Sequence, residues 1–177
     1  MFVCKASDVG ILEWVKGELE SKHKIGWKKG GRMKGGYCYG KVRRIQIPSK
    51  RIVTRLTEIG IPERKSFVDP EHPSVPNEFY RHFLRGVFDG DGSATYAEGR
   101  PRITFTGSER FLISVRERLM FRLELPENKV GKSKQGNVWF LTWSAQQDVA
   151  RISRYIYPEG FGFGLKRKFS RLQHFVL

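Results

Sequence analysis

The chain of 177 residues sets 33 Lys and Arg against 18 Asp and Glu, a net charge of +15, and 39% of its residues are apolar. That apolar share builds a core, which excludes a disordered basic tail, and the length allows one large domain or two small ones. No apolar run approaches the ~20 residues of a membrane span, and the opening Met1-Phe2-Val3-Cys4 has no apolar leader, so the protein is expected to be non-secreted. Cys4 and Cys38 fit neither a disulfide framework nor a zinc-ligand spacing and read as buried thiols in a reducing compartment. The surplus of positive charge favours a polyanionic partner.

Taken in chain order, Ser7 followed by Asp8 reads as a helix N-cap with an acid in the first turn, the helix running through Leu19. From Lys22 to Arg55 there are twelve basic residues and no Asp or Glu, with Trp27, Tyr37 and Tyr39 interleaved. Such a zone repels itself unless phosphates neutralise it. No amphipathic basic helix with an apolar anchoring face covers it, which favours nucleic acid over an anionic membrane. Ile47–Pro62 has helical apolar spacing and stops at a proline. Residues 69–76, rich in proline, read as a linker.

Beyond the linker, Asn77 caps a predicted helix over Glu78–Asp89, whose apolar positions include Phe79, Phe83, Leu84, Val87 and Phe88. Ser93–Tyr96 and Arg102–Thr106 read as short strands around a turn at Glu98-Gly99-Arg100-Pro101. Ser108 caps a helix to about Arg122, Val138–Trp143 is a further strand, and Gln146–Ile156 a further helix. The order α-β-β-α-β-β-α, with paired antiparallel strands, is that of an α+β fold. A second basic cluster, Lys166-Arg167-Lys168 and Arg171, follows.

The chain also repeats itself. An offset of 96 residues aligns Ile47–Pro62 with Trp143–Pro158, matching Val53 with Val149, Arg55 with Arg151 and Leu56 with Ile152. A second echo sets Ala6-Ser7-Asp8 on Gly107-Ser108-Glu109. The expected organisation is an incomplete first copy at 1–68, a linker at 69–76 and a complete copy at 77–177, the first lacking about 25 opening residues.

The segment Leu84-Arg85-Gly86-Val87-Phe88-Asp89-Gly90-Asp91-Gly92 is physically odd. Gly86 inside a helix costs about 1 kcal/mol relative to Ala. Gly86 and Gly90, four apart, make a flat patch where another backbone can approach. Asp89 and Asp91 sit where the helix dipole is already negative, which is unfavourable unless a cation offsets it. An ordinary C-cap and turn explains the Asp-Gly pairs but not this combination, and the run lacks the glycine and terminal Glu of an EF-hand.

This nonapeptide resembles the signature of the LAGLIDADG homing endonuclease family, matching at Leu84, Gly86, Asp89, Asp91 and Gly92. The order of elements and the two-copy layout extend the resemblance over nearly the whole chain. The resemblance implies two such helices packed through Gly86 and Gly90, with a homodimer supplying the second. It implies a divalent-metal site at Asp91 with Gly90, occupied by Mg²⁺ with Mn²⁺ or Ca²⁺ as substitutes, while Asp89 closes the helix end. It also implies a curved antiparallel sheet on the major groove of double-stranded DNA, and metal-dependent hydrolysis of phosphodiester bonds. By the same resemblance Lys168, and Lys65 in the first copy, organise solvent at the scissile phosphate or contact the backbone phosphates. The setting it implies is a phage, microbial or organellar mobile element.

Strand alternation assigns the groove-facing set. Ile103 and Phe105 point to the core, leaving Arg102, Thr104 and Thr106 outward. Ser93 and Thr95 face out while Tyr96 packs inward, and Leu141 and Trp143 are core, leaving Thr142 and Phe140 as the positions that correspond to Gln46 and Arg44 in the repeat. Arg44 and Gln46 are the expected base-edge readers, since Arg pairs guanine and Gln pairs adenine bidentately. Lys34, Lys41, Arg43 and Lys134 complete the expected DNA contacts. Only one motif is present, so two alternatives stand beside the endonuclease: a DNA-binding or regulatory remnant without cleavage, and an RNA-binding splicing helper.

Overall fold

The computed structural model of the chain describes residues 1–32, 38–61, 72–97, 99–134, 138–158 and 162–176. They form an α+β protein in two compact units, Met1–Lys50 and Arg51–Leu177. Among the described residues no helix is long and apolar enough to cross a membrane.

The first unit runs β1 (Phe2–Lys5), a 3-10 turn at Ala6–Asp8, α1 (Gly10–Glu18), β2 (Gly26–Lys28), β3 (Gly31–Arg32), β4 (Cys38–Tyr39) and β5 (Val42–Ile45). An antiparallel sheet has the order β1-β5-β2, and β3 pairs separately with β4. Leu12 on α1 and Ile45 on β5 are buried. Ser7 is not the helix cap expected of it. It lies in the 3-10 turn and caps nothing, and α1 starts behind Val9, whose carbonyl accepts from the Leu12 and Glu13 amides. Cys4 is half-buried rather than buried, its thiol donating to the Asp8 carbonyl at 3.4 Å, and burial raises its pKa, with Asp8 adding to the effect. The Cys38 side chain lies outside the described residues.

The helix α2 (Lys50–Glu58) follows and buries no residue. It ends in a turn at Gly60, whose φ of +91° suits only glycine, so the stop precedes Pro62. The second unit continues with α3 (Tyr80–Asp91), β6 (Ser93–Ala97), β7 (Arg100–Gly107), α4 (Glu109–Leu123), β8 (Val130–Lys132), β9 (Trp139–Trp143), α5 (Gln146–Ile156), α6 (Lys166–Phe169) and α7 (Gln173–Val176). Its sheet is antiparallel in the order β6-β7-β9-β8.

Period-two alternation on β7 and β9 sends Ile103, Phe105, Leu141 and Trp143 to one face, where all four are fully buried. Leu84 and Phe88 of α3, Leu112, Val115 and Leu119 of α4, and Val149, Ile152 and Ile156 of α5 cover that face. Phe88, Phe105 and Trp143 form an aromatic chain with centroids 5.9 and 6.3 Å apart. With these helices all on one side, the other face of the sheet carries the outward-pointing residues of each strand. Ser108 caps α4 as expected, its hydroxyl accepting from the Phe111 amide at 3.4 Å.

Tyr96 departs from the inward position expected of it: it is 55% exposed and meets His174 of α7 edge-on at 5.3 Å. It sits near the end of an edge strand, beyond the reach of the core. Asn77 is likewise not a cap; it lies in a turn, and Phe79 precedes α3 without a side-chain cap.

Candidate nucleic-acid interface and its acidic helix end

The helix α3 carries both aspartates to its last turn, and the structure separates them sharply. Asp89 is 4% exposed. Its carboxylate accepts from the Leu165 amide at 3.1 Å and the Tyr157 hydroxyl at 3.3 Å. Burial is the largest influence on it and holds its carboxyl above the ordinary range, against the Leu165 amide, Lys168, the Tyr157 hydroxyl and Arg85, which all pull it down. Tyr157 is pushed well above its usual range by burial and by Asp89, so it stays protonated as the donor. Gly164 makes room for this arrangement. Its φ of +139° strains any side chain, and a Cβ added there would stand 2.7 Å from Asp89 Oδ2.

Asp91, the last residue of α3, is exposed. It stands two residues before Ser93, the first residue of β6 and also exposed. The lysine expected to organise solvent, Lys168, is 5% exposed and turned to the helix end instead. Its ammonium donates to the carbonyls of Phe88 at 2.6 Å, Asp89 at 2.7 Å and Gly92 at 2.6 Å. Three donors meet three carbonyl acceptors at the negative pole of α3, the place where a cation is most favourable. The Phe88 ring centroid lies 5.3 Å from the same ammonium. Arg171 adds a tether from the C-terminal segment to β6, donating to the Ala94 carbonyl at 2.8 Å.

Gly92 is required by space rather than by a left-handed backbone: its φ is −78°, yet an added Cβ would stand 2.7 Å from both the Phe88 carbonyl oxygen and its ring. Gly92→Ala is therefore expected to destabilise the protein by about 1–3 kcal/mol, read as a lower urea midpoint. Gly86 and Gly90 differ. Both are exposed, and nothing described lies within 4 Å of where their Cβ atoms would be. Arg85, next to Gly86 in the chain, is buried, its guanidinium 5.0 Å from the Phe163 ring centroid.

On the outward face of the second unit's sheet the register forms cross-strand rows. Ser93, Thr104 and Thr142 form one, with the Thr104 and Thr142 hydroxyls bonded to each other at 2.9 Å. Thr95 and Arg102 form a second, and Thr106, Phe140 and Gly131 a third. Ser93, Thr95 and Arg102 are exposed, and Thr104, Thr106 and Thr142 are half-buried. Lys134, after β8, is exposed. The structure thus brings Ser93, Thr95, Arg102, Thr104, Thr106 and Thr142 onto one continuous face.

In the first unit Lys41, Arg44 and Gln46 are exposed, Gln46 one residue beyond β5. Alternation puts Arg43 on the face of Ile45, opposite Arg44. Its guanidinium lies 4.6 Å from the Trp27 ring centroid and donates to the Ile25 carbonyl at 3.5 Å. Lys34 and Lys65 lie outside the described residues. Sequence reasoning misses the partners of Asp89: Tyr157 and the Leu165 amide lie 68 and 76 residues away, and no local pattern joins them to α3.

The sequence profile of a LAGLIDADG-like domain matches residues 78–157. No curated protein matches the chain in sequence. Among solved structures, the LAGLIDADG homing endonuclease I-SmaMI bound to cleaved DNA superposes with a TM-score of 0.58 at 13% identity, over 98% of this chain and 75% of that one. The same meganuclease bound to uncleaveable DNA with a TTGT central four gives 0.56 at 13% identity, over 98% and 76%. I-SmaMI bound to an uncleaved DNA target in the presence of calcium ions gives 0.53 at 14% identity, over 86% and 72%. Motif, profile and architecture agree: residues 78–157 match a LAGLIDADG-like domain, and the chain carries the fold of the LAGLIDADG homing endonucleases.

Proposed function

We propose that the chain is a divalent-metal-dependent, sequence-specific double-strand DNA endonuclease of homing type, acting as a homodimer paired along α3. The observation that carries this reading is the end of α3: an exposed Asp91 beside an exposed Gly86/Gly90 notch. The DNA-bound state of I-SmaMI and the +15 charge of this chain support duplex DNA as the substrate.

The residues fit a hard divalent cation, which takes carboxylate and carbonyl oxygens. Asp91 and the Gly90 carbonyl are such donors. Among the described residues no three His, Cys, Asp or Glu gather into a metal cluster, so in this reading a second Asp91 from the paired copy completes the ligand set. Bound Mg²⁺ would activate water and neutralise charge on the leaving 3′ oxygen. The chain's own contribution is positional. The glycine notch lets two helix backbones approach, the polar sheet face orients the groove, and Lys168 fixes the helix end that carries Asp91, acting through that helix rather than on the phosphate. Lys65, its counterpart by sequence in the first copy, keeps the proposed role of organising solvent at the scissile phosphate or contacting the backbone phosphates.

The two-copy organisation, with halves at 1–68 and 77–177, belongs to the same reading. The strand order β1-β5-β2 parallels β7-β9-β8, with a helix after β1 as after β7. Among the described residues, α3 with β6 has no counterpart in the first unit.

A site selected from a randomised duplex library should be cut in Mg²⁺, and the solution mass should be twice the 20.5 kDa of the chain. Gly86→Leu should keep the fold and stabilise the helix by about 1 kcal/mol, since Leu is the better helix former, yet halve the measured mass. A monomer that cuts removes the helix pairing from this reading. A dimer that binds without cutting in Mg²⁺ or Mn²⁺ removes the chemistry and leaves a DNA-binding regulator.

A further inference from the structure

Phe140 stands apart from its neighbours on the outward face of the second unit's sheet. It lies mid-strand on β9 and is 39% exposed, between Thr106 of β7 and Gly131 of β8. The hydroxyl row of Ser93, Thr104 and Thr142 lies two positions along the strand. Single exposed aromatics are common on protein surfaces and need no explanation. This one has a seat: a Cβ added to Gly131 would stand 2.7 Å from both Cε2 and Cζ of the Phe140 ring. The missing side chain at 131 is what lets the ring lie down across the edge strand while remaining open to solvent.

The geometry points to Phe140 as a specificity-determining residue that meets the C5-methyl group of a thymine in the major groove. The inference rests on the proposed docking of duplex DNA on this face. Base edges in the major groove present hydrogen-bond donors and acceptors and one apolar feature, the thymine methyl. The hydroxyls of Ser93, Thr104 and Thr142 are suited to the polar edges. The ring can gain only from the methyl. Gly131 acts as a positioning residue, setting the height of the ring above the sheet.

The test uses the full chain and the duplex selected for binding in Ca²⁺, with each thymine replaced in turn by deoxyuridine, which removes only the methyl. At one position the wild type should bind the deoxyuridine duplex about fourfold more weakly, the value of one buried methyl-sized group. Phe140→Ala should lose about the same factor on the thymine duplex and be indifferent to the replacement there. Gly131→Ala, which keeps the ring but lifts it, should narrow the discrimination at that position alone. Equal binding of every thymine and deoxyuridine pair by the wild type overturns the inference, as does a selected site with no fixed thymine, or a Phe140→Ala protein that keeps the full methyl preference. In those cases salt-sensitive binding still upholds DNA as the partner. Recovery of no duplex at all overturns both.

Discussion

Asp91→Asn is expected to reduce Mg²⁺-dependent cleavage by at least about a thousandfold, the scale set by losing a group that stabilises transition-state charge in a closed site. The change swaps an anionic oxygen donor for a neutral amide of the same shape. Because Asp91 is exposed, the fold does not depend on it. The substitution also removes a negative charge from the negative pole of α3, a change that favours the helix. The melting temperature should therefore hold or rise slightly, and DNA affinity should hold or increase. That combination, with chemistry lost and stability and binding kept, separates a metal ligand from a structural acid. Unchanged cleavage by the Asp91→Asn variant would remove Asp91 from the site.

Lys168→Met should behave in the opposite way. Its ammonium is buried and bonded to the Phe88, Asp89 and Gly92 carbonyls. Removing it strands three acceptors at a desolvated helix end and takes away a cation that favours the charged form of Asp89. A loss of about 3–5 kcal/mol is expected, seen as a fall in Tm of about 10 °C or more. A lysine that only ordered solvent at a phosphate would lower the cleavage rate and leave Tm unchanged. Should Lys168→Met melt with the wild type, its part in closing α3 is refuted. Asp89 shares the outcome. With Lys168 gone, one of the influences lowering its pKa is lost, and its carboxyl should titrate still higher.

Much of the second unit can be read directly from the sequence because its signals are local. Helical apolar spacing and the proline at 158 bound Gln146–Ile156, and α5 has those limits. The alternation of Ile103 and Phe105 with threonines names the buried face of β7. The helix carrying the signature is harder. The expectation of Glu78–Asp89 gives way to Tyr80–Asp91, a shift of two residues at each end. At the start, Asn77 has the chemistry of a cap but spends it in a turn. At the finish, Asp-Gly-Asp-Gly suggests an early stop, and the last turn persists because Lys168 binds its carbonyls. That support comes from 79 residues beyond Asp89, where no periodicity can announce it. The first unit is less legible for another reason. Its basic residues carry charge but little apolar pattern, and Arg43 rests on Trp27 rather than accompanying Arg44.

The ties that hold the acidic end of α3 have a bearing on how the protein can be divided. The residues matched by the family profile stop at 157, yet Leu165, Lys168 and Arg171 all lie past that point. A fragment cut at the profile boundary would include the signature and every strand of its sheet while leaving Asp89 short of a donor and three carbonyls bare. Any graft of this half into another scaffold, or any split into complementary pieces, must carry the chain through Arg171 to bring a working helix end with it.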